Sequence, residues 1–308
     1  MHVVDSHTGG MPTRVIVSGG PSLCEGPLEQ QAKDLADNHK SFCDAVLREP
    51  RGQPGMVAAL LVNPTDPQCT TGVIYFDVDA VLGMCGHGTI GLAVTLADMG
   101  RLSLGVHKIE TPAGIVTVEL HDANTVSVTN VDSRLIKPDV AVKLNDGTWV
   151  TGDFAYGGNW FFIAPAPIPV EASNIDALTD LAISIRSACH AASIQGPEGQ
   201  PVDHVILVDQ NNHDSVWSQN FVLCPDNEYD RSPCGTGSSA LIACLAAKQE
   251  VEERQTVTFN SVIGSNYQVS YQSNGDNTVR PTIKGQAHVM AKSELVFSPS
   301  DPFISGIR

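Results

Sequence analysis

The chain has 308 residues, 42% hydrophobic and 17% charged, with 34 acidic against 18 basic side chains and a net charge of −16. That length buries one large core or two medium ones and slightly favours two domains. The negative charge argues against a nucleic-acid partner, which needs a basic surface. The longest apolar runs, MVAALLV (56–62) and ALIACLAA (240–247), fall well short of the roughly 20 residues that cross a bilayer.

In chain order, MHVVDSH and TRVIVSG (13–19) read as strands separated by the turn-rich TGGMP. Residues 28–48 carry apolar side chains at helical spacing with few breakers, which predicts one surface helix. MVAALLV and GVIYFDVD (72–79) read as strands. Residues 86–99 then read as a helix closed by Gly100. Alternating runs follow at 114–120 and 124–131. The second half opens with strand-like WFFIA (160–164) and a helix over 175–192, followed by strands at 204–209 and 218–225. A helix over 235–250 comes next, and the tail offers strands at QTVTFN, YQVSYQ, RPTIKG and AHVMAKSELVF. Helix, strands, cysteine-led helix and strands therefore occur twice. The N-terminal MHVVDSHTGG has neither a basic nor a long apolar region, so a cytoplasmic location is expected.

Both late helices start the same way, with MCGHGTIG (84–91) and SPCGTGSSA (232–240). A helix N-terminus offers unpaired N–H groups and about half a positive charge, and glycines let a ligand come close to the backbone. A carboxylate fits such a nest. A cysteine there feels the same field, which brings thiolate within reach near neutrality. Cys85 and Cys234 lie about half a chain length apart. Two such thiols with one bound carboxylate suit inversion at the carbon beside that carboxylate. A thiolate takes the proton from one face and a thiol delivers one to the other. The charge that develops on the carboxylate is met by aligned N–H groups. No metal or pyridoxal is needed for this chemistry, and no cofactor motif is present.

DSHTGGMPTRVI near the start, EPRG (49–52), MCGHGTIG, DRSPCGTGSSA and SVIGSNY resemble the proline racemase family, and most closely its branch that epimerises 4-hydroxyproline. The resemblance implies a diaminopimelate-epimerase-like α/β (α+β) fold with two pseudo-symmetric halves. Each half is a mostly antiparallel sheet wrapped around a central helix, and the site lies between them. The expected boundaries are 1–125 for the half carrying Cys85 and 126–286 for the half carrying Cys234, with 287–308 returning to the first. The resemblance also implies cofactor-independent inversion at C2 of proline or a hydroxyproline, with Cys85 and Cys234 as the acid/base pair. Gly86, His87, Gly235 and Thr236 fall where the family binds substrate, and Asp230 falls where it places a carboxylate near the ring nitrogen. In proline-specific members a bulky Phe tends to stand where this chain has Val57 and Cys224. The smaller side chains leave room for a ring hydroxyl and favour 4-hydroxyproline. Such a size argument is worth about 1–3 kcal/mol. The partner is then a small imino acid. Oligomeric state is left open, with a homodimer admitted.

Several rival readings compete with this one. GHGTIG is formally a dinucleotide fingerprint, but the alternation of a doubly wound sheet is missing. Cys85, His87 and Cys234 could ligate zinc, yet this leaves the duplicated cysteine–glycine pattern unexplained, so no metal is expected. A single-cysteine hydrolase leaves Cys234 idle. Proline racemase, trans-3-hydroxyproline dehydratase and a non-catalytic imino-acid binder remain as alternatives. The dehydratase branch typically carries Thr in place of the second cysteine, which this chain retains. His7 could line the site or brace a turn. His204 beside Asp203 and Arg14 read as structural, and Cys244 as core. Cys24, Cys43, Cys69 and Cys189 have no partner motif and read as packing or surface residues.

Overall fold

The computed structural model describes residues 1–210 and 217–307. The chain forms two compact units, Met1–Val128 with Gly285–Arg308, and Thr129–Lys284.

The first unit contains β1 (His2–Thr8), β2 (Met11–Ser18), α1 (Leu28–Asn38), α2 (Lys40–Leu47), β3 (Val57–Val62), β4 (Thr71–Phe76), β5 (Val81–Leu82), α3 (Gly86–Asp98), β6 (Gly105–Thr111), β7 (Gly114–Leu120) and β8 (Thr125–Thr129). β1 and β2 form an antiparallel hairpin, β3 runs parallel to β2, and β4 is antiparallel to β3. After α3, β6 runs parallel to β4 and β7 is antiparallel to β6.

The second unit contains β9 (Arg134–Lys143), β10 (Trp149–Tyr156), β11 (Trp160–Pro165), α4 (Ile175–Ala191), β12 (His204–Asp209), β13 (Ser218–Leu223), α5 (Gly235–Ala247), β14 (Val257–Ser261), β15 (Asn266–Gly275) and the first part of β16 (Thr278–Glu294). Its connectivity copies the first. The β10–β11 hairpin leads through α4 to β12, which is parallel to β11, and then to antiparallel β13. After α5, β14 runs parallel to β13 and β15 is antiparallel to β14. The two halves of similar design expected from the repeated order are present.

In each unit the strands surround one helix. In the first, β8 neighbours β16 and β16 pairs with β1, so the strands close around α3. In the second, the Ser133–Val279 bridge ties the residue just before β9 to β16. α3 is buried from Gly86 to Leu96 and α5 from Gly235 to Leu245. A helix that is apolar all round belongs in such a place. Both end on a left-handed residue whose neighbours bond back to the last turn. Gly100 does this for α3 with φ +69° and Gln249 for α5 with φ +60°. Gln249 carries no glycine signal, which is why the sequence pattern overran this helix end by three residues.

Other elements also differ from expectation. The single helix over 28–48 is two, because His39 leaves helical geometry at φ −124°, ψ 24°. The break turns Ala32 and Leu35 of α1, and Cys43, Val46 and Leu47 of α2, into one core with Ile16, Leu60 and Phe76. RPTIKG and the first eight residues of AHVMAKSELVF form one long strand, β16, which ends at Glu294. β6, β9 and β10 were not read from the sequence. β9 alternates poorly because much of it is exposed.

Arg14 binds two of the early motifs together. It faces Asp5 across the β1–β2 hairpin and grips that carboxylate through Nε and Nη2, each at 2.8 Å. Its Nη1 donates to the carbonyls of Val46 at 2.7 Å and Arg51 at 2.6 Å. Arg51 in turn donates to the carbonyls of Phe303 and Ile304, fastening the C-terminal stretch. Arg14 is only 5% exposed, so removing it strands a largely buried carboxylate. Arg14→Met should lower unfolding free energy by about 3–5 kcal/mol in a urea titration. A loss below about 1 kcal/mol would mean the pair does not organise this corner.

Candidate active site

Cys85 is the N-cap of α3, with extended backbone at φ −139°. Its Sγ lies 3.6 Å from Nδ1 and 3.7 Å from Nε2 of His87, near-equal distances that set the sulfur against the ring rather than in line with one nitrogen. Both side chains are buried. The Cys85 carbonyl accepts from the Thr89 amide at 2.9 Å and its hydroxyl at 2.7 Å. That hydroxyl lies 2.9 Å from the Tyr75 phenol, so Tyr75 donates to Thr89 and Thr89 to Cys85. Burial pushes the Tyr75 phenol well above its ordinary pKa, which keeps it a donor. Thr8 Oγ1 donates to the His87 carbonyl at 2.8 Å, linking β1 to the first turn of α3. Gly88 is required here: a Cβ would stand 2.9 Å from Tyr75 and 3.0 Å from the Cys85 sulfur.

Cys234 caps α5 differently. Its φ is +62°, a conformation that costs a residue with a side chain about 1–3 kcal/mol. The geometry turns Sγ back to accept from the Gly237 amide at 3.3 Å. The sulfur also lies 3.6 Å from Thr236 Oγ1. Behind it, Ser232 Oγ accepts from the Cys234 amide at 3.2 Å and donates to Asp230 Oδ1 at 2.8 Å. The Ser232 amide also donates to Asp230 Oδ1 at 2.8 Å. Asp230 is thus fixed in orientation and buried, at 2% exposure. Among the described residues, no protein acceptor meets the amides of Gly235 or Thr236, or those of Gly86 and Gly88. Buried helix ends of this kind are ready to receive an anion.

The structure therefore brings Cys85, Gly86 and His87 together in the first unit, and Asp230, Cys234, Gly235 and Thr236 together in the second. Val57 begins β3 and is buried. Cys224 follows β13 and is half-buried; its amide donates to the Glu228 carbonyl and its own carbonyl accepts from Arg186 at 2.8 Å. His7 braces a turn, its Nδ1 accepting from the Gly10 amide at 3.3 Å, and its ring stands beside His288. His204 is structural: Nδ1 lies 2.6 Å from Asp203 and the ring packs on Phe161. Ser232 and Asn159, whose amide donates to Thr236 Oγ1 at 3.1 Å, were missed by the sequence reading. A polar residue directly after the Gly157-Gly158 pair was the available signal for Asn159. Among the described residues no group of three His, Cys, Asp or Glu side chains could hold a metal ion.

Residues 3–308 match the family described as proline racemase, and the chain belongs to that family. It is 58% identical to a 4-hydroxyproline 2-epimerase of Ruegeria pomeroyi, covering all of this chain and 98% of the relative. It is 50% identical to one of Roseibium aggregatum over the whole of both chains. Among solved structures, a hydroxyproline epimerase from Agrobacterium vitis, crystallised with trans-4-hydroxy-L-proline, superposes with a TM-score of 0.92 at 23% identity, covering 100% of this chain and 94% of that one. A phenazine biosynthesis protein of Bacillus anthracis shares the fold more distantly, with a TM-score of 0.66 at 13% identity over 96% and 99% of the two chains.

The remaining cysteines are free thiols. Burial pushes the Cys43 and Cys189 thiols up to about 12, and it raises that of Cys244 as well. At pH 8 a thiol of pKa about 12 is ionised to about one part in 10⁴. Iodoacetamide at pH 8 should therefore label exposed Cys24 while Cys43 and Cys189 stay unmodified until denaturant is added, as read by peptide mass spectrometry. Native labelling of either at the Cys24 rate would contradict the packing role.

Proposed function

We propose that the protein is a 4-hydroxyproline 2-epimerase, interconverting trans-4-hydroxy-L-proline and cis-4-hydroxy-D-proline without a cofactor. The full-length likeness to 4-hydroxyproline 2-epimerases carries the substrate and the reaction. The two cysteine-capped, buried helices support the mechanism. The backbone N–H groups that follow each cysteine hold the substrate carboxylate. Asp230 and His87 meet the ring amine. One sulfur, as thiolate, takes the C2 proton, and the carbanion's charge spreads into the carboxylate, where the helix amides stabilise it. The other sulfur, as thiol, delivers its proton to the opposite face. Each turnover leaves the pair with exchanged protonation, ready for the reverse reaction. Val57 and Cys224 are the small residues that leave room for the 4-hydroxyl. The enzyme acts as a soluble cytoplasmic protein on a small imino acid; among the described residues, no helix is long and apolar enough to cross a membrane.

With trans-4-hydroxy-L-proline, L-proline and trans-3-hydroxy-L-proline offered in parallel, the first should be turned over best, by about 10- to 200-fold in kcat/KM. Cys85→Ser and Cys234→Ser should each lower kcat by about 10²-fold or more. Full activity in either variant would end the two-thiol scheme. Calorimetric binding of hydroxyproline without turnover by the intact, reduced protein would replace the enzyme with a binding protein.

A further inference from the structure

Asn159 takes no part in the chemistry above, yet one hydroxyl joins it to Cys234. It ends the turn between β10 and β11, where the Gly157 amide donates to the Asn159 carbonyl at 3.1 Å. The turn lies directly on the first turn of α5. A Cβ on Gly157 would stand 2.2 Å from the Thr236 carbonyl oxygen and 2.5 Å from the Ala240 nitrogen. One on Gly158 would stand 3.1 Å from the Thr236 methyl. Asn130 fastens the same turn, its amide donating to the Gly157 carbonyl at 2.9 Å and to Ser239 Oγ at 2.8 Å. Two glycines and a buried asparagine thus seat the Asn159 amide 3.1 Å from Thr236 Oγ1.

The direction of that bond sets where the threonine proton can go. An amide nitrogen only donates, so Thr236 Oγ1 accepts from it, and a hydroxyl has a single proton to place. Among the described residues, the one acceptor in reach of that proton is the Cys234 sulfur, at 3.6 Å. We propose that Asn159 is a positioning residue: by donating to Thr236, it aims the Thr236 hydroxyl proton at the Cys234 sulfur. The sulfur then faces two donors, this hydroxyl and the Gly237 amide at 3.3 Å. Both favour its thiolate over its thiol. Without Asn159 the hydroxyl can turn over and accept from S–H, which favours the thiol. The inference rests on the reading of Cys234 as an acid/base group, but the ionisation it concerns is measurable without substrate.

The experiment follows alkylation of Cys234 by iodoacetamide against pH, in a Cys85→Ser background, by mass spectrometry of its peptide. Asn159→Ala should move the midpoint up by about one pH unit, the size expected for losing a hydrogen bond to a charged group. Asn159→Asp keeps the shape but accepts from Thr236, so its midpoint should rise at least as far. Thr236→Val should reproduce the shift, and Thr236→Ser should keep the parent midpoint. With Cys85 intact, Asn159→Ala should lose kcat about 10-fold with a smaller change in KM. Unmoved midpoints in both Asn159 variants overturn the proposal. So does a lowered melting temperature without a midpoint shift, because Asn159 would then only brace the turn. Absent epimerase activity in the parent protein would reject the functional reading while leaving the alkylation result to decide this one.

Discussion

The amino end of a buried helix sets the terms for this protein. A helix start leaves several N–H groups without intrahelical partners, and away from water each costs about 1–3 kcal/mol if nothing accepts from it. α3 and α5 both begin inside their own units, enclosed by strands, where solvent cannot settle that cost. The chain meets it in part with the cap residue and in part leaves amides open. In α5 the Cys234 sulfur takes the Gly237 amide and the Cys234 carbonyl takes that of Ser238, while among the described residues no acceptor meets the amides of Gly235 and Thr236. A fixed, positive and desolvated cradle beside a sulfur is an expensive feature in a structural protein and a useful one in an enzyme that must stabilise a carbanion.

The rest of each unit keeps that helix end in place. The order of hairpin, helix, parallel strand, antiparallel strand, cysteine and helix is the same in both units, so each sulfur comes after the strand beside which the next strand will pair in parallel. Close packing then dictates glycine. Gly91 must admit Ser6, whose Oγ would lie 2.9 Å from a Cβ there, and Gly237 must admit Ile206 and the Cys234 side chain. The two ends nonetheless differ. Cys85 has relaxed extended backbone and an imidazole beside its sulfur. Cys234 has a strained positive φ, a backbone amide on its sulfur and a Ser232–Asp230 pair behind its own amide. The two thiols are thus held by different means.

How much could be read from the sequence depends on how local each signal is. The helix at 86 was legible at both ends because the glycines before it and Gly100 after it act within one turn. The end of α5 was not, since Gln249 takes the left-handed position without a residue type that announces it. The break at His39 serves a core shared by α1 and α2, and the apolar spacing of 28–48 alone does not reveal it. β9 escaped because much of it is exposed and alternates poorly, and β6 and β10, though paired with their sequence neighbours, lie in the mixed runs GVHKIET and WVTGDFAY, which lack a clean apolar–polar alternation. At the site, the cysteines, glycines and Asp230 stand together in short motifs. Asn159 reaches Thr236 only through the fold, and the hydrogen bonds of Ser232 to Asp230 and the Cys234 amide depend on the turn that DRSPCG adopts. The unremarkable readings of Arg14, His204 and Cys244 match their buried ion pair, aspartate contact and core position.

The central claim is that two separate sulfurs handle the two proton transfers at one carbon. It is tested most directly by running the reaction in heavy water from trans-4-hydroxy-L-proline and following C2 of both isomers at low conversion. Two single-proton thiols predict a D-product carrying deuterium from its first appearance, while recovered L-substrate keeps its original hydrogen. Deuterium entering the L-substrate as fast as product forms, or product retaining the substrate's own hydrogen, would show a single base at work and contradict the account.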